Sequence, residues 1–225
     1  MEKESKLVHT ILKHVIENIV VDDEFSFINN GVSYNVGNDS KMLSKIYEII
    51  TISKLTQELE NLHFNYIENN VQNKYPDFII VSRIDPNMFY AIDIKSSYLK
   101  NKDEINGFTL GTYNGYFRDR QSVKNIVKPY SSFYKHFCVC FLYERQGHKT
   151  PIKYKFVREK WKLATRCQGS GNTCHIGSMK NLTTLLTDQS FFSNEREFND
   201  FWLSTINHRP KDTFHVSYDS NTTMT

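Results

Sequence analysis

The chain has 225 residues, 39% of them hydrophobic and 14% aromatic, with only 9 Gly and 5 Pro. Such a composition excludes collagen-like, low-complexity and disordered proteins, and no run approaches the ~20 apolar residues of a membrane span. The formal charge of +3 hides a segregation: residues 118–166 hold 13 Lys and Arg against 3 Asp and Glu, whereas residues 1–117 hold 11 against 16.

In chain order, Leu7, Ile11, Val15 and Ile19 recur every four residues and predict an amphipathic helix. Residues 25–28 and 32–36 flank Asn29-Asn30-Gly31, which is hairpin chemistry because Asn and Gly tolerate positive φ. Asp39 or Ser40 then caps a helix bearing Met42, Leu43, Ile46, Glu48, Ile50 and Leu59, running to about residue 62. Strands are predicted over 64–68, 78–81 and 89–95, the last two joined by an Asp85-Pro86-Asn87 turn. Residues 137–143 form an apolar run typical of a buried strand. It contains Cys138 and Cys140, which read as packing residues because none of the four Cys forms a CxxC pair. A late helix is predicted over 192–202. The pattern predicts one mixed α/β domain over 1–207 and a polar, poorly ordered tail over 208–225. Residues 1–13 carry charges throughout instead of an apolar secretory core, so a cytoplasmic protein is expected. The basic block, from Arg118 and Arg120 through Lys153, Lys155, Arg158, Lys160 and Lys162, either follows a phosphate backbone or forms a solvated face.

Two constellations carry chemistry. Asp93 and Lys95 are two apart on a predicted strand and therefore share a face, and a hairpin partner can bring Asp77 beside them. Two carboxylates ~4 Å apart repel by roughly 1–4 kcal/mol, so the cluster calls for a proton or a cation, and oxygen ligands favour Mg²⁺. The plainer alternative is an Asp93–Lys95 salt bridge at a sheet edge, with Asp77 merely starting a strand. The second constellation is Gly169-Ser170-Gly171-Asn172-Thr173. It lacks the Lys-Ser/Thr of a Walker A loop, which removes an ATPase reading, but its Asn could pair with adenine in the major groove. An ordinary flexible loop is the alternative.

Tyr75-Pro76-Asp77-Phe78, Ala91-Ile92-Asp93-Ile94-Lys95, Phe108-Thr109-Leu110-Gly111, Lys124-Asn125-Ile126-Val127 and the Gly169–Thr173 loop with Ile176-Gly177-Ser178 follow one another in this order. In these blocks the chain resembles EcoRV-like type II restriction endonucleases of the PD-(D/E)xK nuclease superfamily, from about residue 39 to residue 202. The resemblance implies a restriction-endonuclease-like α/β core with a mixed central sheet flanked by helices. It also implies a homodimer, and Mg²⁺-dependent hydrolysis of double-stranded DNA at a palindrome, GATATC cut centrally to blunt ends with 5′-phosphates. By the same resemblance Asp77 and Asp93 hold the metal, Lys95 is the catalytic lysine, and Glu48 supports a further metal position. Gly169, Ser170, Gly171, Asn172 and Thr173 form the base-recognition loop near 168–178, and Gln72 and Asn73 face the minor groove. Ser97, Tyr98, Thr109, Lys124 and Arg145 fall near the DNA backbone. A protecting DNA methyltransferase is implied as the functional partner in the cell. The chain departs from the family pattern at Val71, Cys174 and His175, in a short insertion before Lys124, and in a shorter tail. Two rivals use the same residues: a structure-specific repair nuclease or resolvase, and a non-catalytic DNA-binding module.

Overall fold

A computed structural model of the chain describes residues 1–169 and 175–204. Ser170, Gly171, Asn172, Thr173 and Cys174 of the predicted recognition loop, and the predicted tail, lie outside the described residues.

Helix α1 (Glu2–Asn18) buries Val8, Ile11, Leu12, Val15 and Ile16, a stripe at the three- and four-residue steps of one helical face. Leu7, expected on that face, lies one position off it and is 40% exposed. Strands β1 (Ser26–Asn29) and β2 (Val32–Asn35) pair antiparallel through a two-residue turn. Asn30 and Gly31 both take positive φ there, +50° and +79°, as the right-handed twist of a tight hairpin requires. Helix α2 (Ser40–Asn61) starts at Asp39, whose carboxylate accepts the N–H groups of Lys41 and Met42, each at 2.9 Å. Its buried face is Leu43, Tyr47, Thr51, Leu55 and Leu59, and Met42 is exposed.

Five strands form the central sheet in chain order: β3 (Tyr66–Glu68), β4 (Phe78–Val81), β5 (Phe89–Tyr98), β6 (Phe133–Tyr143) and β7 (Ile152–Glu159). All neighbours are antiparallel except β5 and β6, so the sheet is mixed, as expected. The remaining elements are a π-turn over Tyr113–Phe117, a 3₁₀ turn over Tyr130–Ser132, and α3 (Lys160–Leu163). Then come the β8 (Ala164–Gln168) and β9 (Ile176–Ser178) pair, α4 (Leu182–Leu186) and α5 (Glu195–Ser204). The predicted strands over 89–95 and 137–143 are each longer than their apolar runs, because partner strands extend the pairing through Ser96 and Ser97 in β5 and through Lys135 and His136 in β6.

The alternation along β5 separates two cores. Tyr90, Ile92 and Ile94 pack with α1 and α2, whereas Phe89 and Ala91 join Tyr113, Phe117, Phe198 and Trp202 on the opposite face. Asp93 and Lys95 continue this second face. Cys138 and Cys140 are buried free thiols, in keeping with a packing role.

Much of the basic stretch is engaged within the fold. Lys135 bridges Glu159 and Glu195, Arg158 and Lys162 share Asp188, and Arg166 pairs with Glu197. Lys155 donates to the carbonyls of Glu17 and Ile19 at the end of α1, satisfying acceptors that the helix leaves open. Much of this charge holds packed elements together. Among the described residues no helix is long and apolar enough to cross a membrane.

The Asp39 cap is a local stabiliser of α2. Asp39→Ala is expected to lower stability by about 1 kcal/mol, read as a lower urea midpoint with an unchanged m-value.

Candidate active site

The site is built on one hairpin. Phe78 pairs with Ile92 in the antiparallel β4–β5 register, so the next step sets Asp77 opposite Asp93. Their side chains project to the same face because each lies an odd number of residues from its inward-facing neighbours. The Ile94 N–H donates to Asp77 Oδ2 at 2.7 Å, fixing that carboxylate against the strand. Lys95 Nζ lies 2.8 Å from Asp93 Oδ2. The ion pair of the plainer reading is therefore real, but it sits on an interior strand, beside a second acid, and not at a sheet edge.

The electrostatics follow from burial. Desolvation, and then the neighbouring Asp93 charge, push the Asp77 carboxyl up to about 7, against the opposing pulls of Lys95 and the Ile94 N–H. For Lys95 burial disfavours the ammonium, but Asp93 and Asp77 outweigh it and hold the amine protonated well above its ordinary range. The metal-free cluster thus has one acid poised to keep a proton. A hard cation offering its own charge can replace that proton, and two carboxylates with room for water and a phosphate oxygen suit Mg²⁺. Among the described residues no group of three or more His, Cys, Asp or Glu converges.

These three residues face a cleft of about 1580 Å³ whose walls also include Glu48, Gln72, Asn73, Ser97, Tyr98 and Thr109. Glu48 follows buried Tyr47 on α2 and lines the same cleft, where its carboxylate lies 2.5 Å from Lys45 Nζ. Gln72 and Asn73 sit on a loop pinned by Asn69, whose amide donates to the carbonyls of Lys74 (2.6 Å) and Pro76 (2.9 Å) and accepts the Val71 N–H. Ser97 is buried, and its hydroxyl has no hydrogen-bond partner among the described residues. Arg145 stacks over the Tyr98 ring, 3.6 Å from its centroid. Lys124 is exposed and is not among the cleft walls. Besides Lys95, the cations lining the cleft are Lys41, Lys45 and Lys74, which sequence reasoning left out of the site.

Gly169 and His175 flank the undescribed residues of the predicted recognition loop, and the Gly169 N–H donates to the His175 carbonyl at 3.0 Å. The adjoining strand is tied to the cleft, because the Ile176 N–H donates to the Gly111 carbonyl at 3.0 Å and Gly111 lines the cleft. Gly111 has φ +92°, and a Cβ there would stand 2.5 Å from Tyr116 Oη. Only glycine meets both demands. Neither Tyr116 nor the buried aromatic layer behind the carboxylates carries a sequence signal beyond its hydrophobicity.

A mixed sheet presenting two acids and a lysine from one hairpin to an open cleft is the architecture of a restriction-type nuclease core. A family model described as restriction endonuclease EcoRV matches residues 25–223. The type II restriction enzyme EcoRV of Escherichia coli is 32% identical over 191 residues, covering 76% of this chain and 77% of that enzyme. The NlaIV restriction endonuclease superposes with a TM-score of 0.51 at 14% identity, over 77% of this chain and 68% of that one, a likeness of fold. The chain belongs to the EcoRV restriction endonuclease family, and is a type II, site-specific deoxyribonuclease acting on DNA. Its membership removes the non-catalytic module as a reading.

Because the Asp77 pKa is raised on folding, the folded chain binds that proton more tightly than the unfolded chain does. The resulting stabilisation is complete below the ordinary Asp range near 3.8 and is lost as pH rises through about 7. With chelator present, Asp77→Asn is expected to be more stable than the native protein at pH 8, by more than ~1 kcal/mol, and to lose that advantage by pH 4. Urea midpoints across this range check it.

Proposed function

We propose that the protein is a Mg²⁺-dependent homodimeric endonuclease, with residues 1–207 as one domain, that cuts GATATC at its centre to leave blunt ends with 5′-phosphates. The observation that carries the reading is the convergence of Asp77, Asp93 and Lys95 at the cleft. Asp77 and Asp93 would hold the ion, with Glu48 on the cleft wall serving a further position. When bound, magnesium places positive charge against the phosphate and acidifies a water molecule. Lys95, kept protonated by its two acidic neighbours, offsets the negative charge growing on the phosphoryl oxygens. Water attacks phosphorus in line, the 3′ oxygen leaves, and the phosphate stays on the 5′ side.

Recognition is assigned to Gly169, Ser170, Gly171, Asn172 and Thr173 in the major groove, where the Asn172 amide pairs with adenine N6 and N7. Gln72 and Asn73 face the minor groove. Ser97, Tyr98, Thr109, Lys124 and Arg145 position the backbone, which sets register without reading sequence. One chain carries one catalytic cluster and one loop, so two copies related by a two-fold axis match a palindrome and cut both strands. The exposed hairpin supports association: Ile28 is 75% and Val32 52% exposed, and Phe27 stacks on Tyr34 outside both cores. A methyltransferase of the same specificity would protect the host DNA in the cytoplasm.

Sequencing the ends of fragments from a genome digested with Mg²⁺ tests site, cut position and end type together. The expected result is uniform blunt ends with 5′-phosphates at GAT|ATC, absent from digests with Asp93→Ala, which still binds DNA. A smear, or preferential cutting of branched DNA, would instead indicate a repair nuclease or resolvase. Asn172→Ala is expected to lose ~1–3 kcal/mol of discrimination at the adenine it reads, measured as the ratio of cognate to single-substituted-site affinity.

A further inference from the structure

Behind the carboxylates lies a second ammonium that the cleavage chemistry does not use. Lys160, the first residue of α3, is 2% exposed, and its Nζ has no hydrogen-bond partner among the described residues. It lies 4.5 Å from the centroid of the Tyr75 ring, 5.6 Å from Tyr130 and 6.0 Å from Tyr116. Tyr75 stacks on Tyr116, Tyr130 and His136, so the cage wall is a packed aromatic layer. A buried ammonium without hydrogen bonds is costly, and aromatic faces recover only part of its lost hydration. The rest needs a negative partner nearby. Asp93 supplies it: burial pushes the Lys160 ammonium down to about 8, and the charge that pulls it back most strongly is the Asp93 carboxylate.

The placement is close to the reacting surface. Tyr75 is two residues before Asp77, and the Tyr116 hydroxyl is affected by the charges of Asp93, Lys95 and Asp77. A Cβ on Gly111, which lines the cleft, would stand 3.5 Å from Lys160 Nζ. One layer of chain therefore separates the hidden ammonium from the cleft. Lys95 answers both carboxylates from the cleft side, and Lys160 answers Asp93 from the core.

We propose that Lys160 is a positioning residue of the cleavage site, a solvent-shielded ammonium in a tyrosine cage whose charge restrains the affinity of the Asp77–Asp93 pair for its divalent cation. The inference rests on those carboxylates being cation ligands. Removing a positive charge beside a cation site strengthens binding, whereas damage to the site's packing weakens it, so the direction of the effect separates an electrostatic role from a merely structural one.

Calorimetric titration with Mn²⁺ in the absence of DNA, using Asp93→Ala as the blank, tests this on the full chain. Lys160→Met fills the apolar cage without charge, and Lys160→Gln keeps a polar tip without charge. Either folded variant is expected to bind Mn²⁺ roughly tenfold more tightly than the native protein. Unchanged or weaker binding by a folded neutral variant would overturn the proposal. Failure of both neutral variants to fold would assign the ammonium to stability alone and overturn it as well. Native protein taking up no more Mn²⁺ than the blank would instead refute the carboxylates as cation ligands, a distinguishable result.

Discussion

The structure turns on a repulsion that the fold imposes on itself. The β4–β5 register places two carboxylates opposite one another on a largely desolvated face, an arrangement that cross-strand pairing disfavours. Every neighbour answers that repulsion. Lys95 pairs with one acid, the Ile94 N–H binds the other, and the Asp77 carboxyl retains affinity for a proton near neutrality. Such local conflict with the rest of an otherwise consistent fold is what distinguishes a reacting surface from a packing surface.

The architecture around the cluster divides the labour. One core fixes the hairpin from the α1 and α2 side, and the other backs the carboxylates with aromatic rings. The cleft takes its cations from Lys95 on β5, from α2 and from the loop that Asn69 pins, while Lys135 of β6 pairs with Glu159 and Glu195, and Arg158 of β7 and Lys162 of α3 pair with Asp188. Linear charge density was a poor guide here. Several of those lysines and arginines lie against acids that are remote in sequence, and partners of that kind are invisible in a local count.

Much of the fold was legible because its signals are local. Helix periodicity located α1 and α2, Asn-Gly located the hairpin, and the PD and DxK spacing located the cluster, since period-two alternation decides which face a strand residue takes. What escaped depends on contacts between distant segments. Strand β7 has a mixed burial pattern and many charges, so it does not read as a strand until β6 is beside it. The late helix begins at Glu195 and not at residue 192, because Phe192 packs edge-on against Phe198 instead of extending the helix. The caged position of Lys160 has no sequence signature at all, for a lysine in a basic run looks like any other until its surroundings are known.

The parallel pairing of β5 with β6 bears on the order of assembly. Antiparallel neighbours β4 and β5 are joined by a short turn and can zip together locally, whereas β6 begins only at Phe133, after a long crossover from Tyr98. Closing that loop carries an entropic cost that the hairpin does not face, so it belongs to a later and slower event. The acidic pair is set by local pairing alone, whereas its burial also needs the aromatic residues of the crossover. A nascent chain would carry both acids long before it could have a sealed, chemically primed centre.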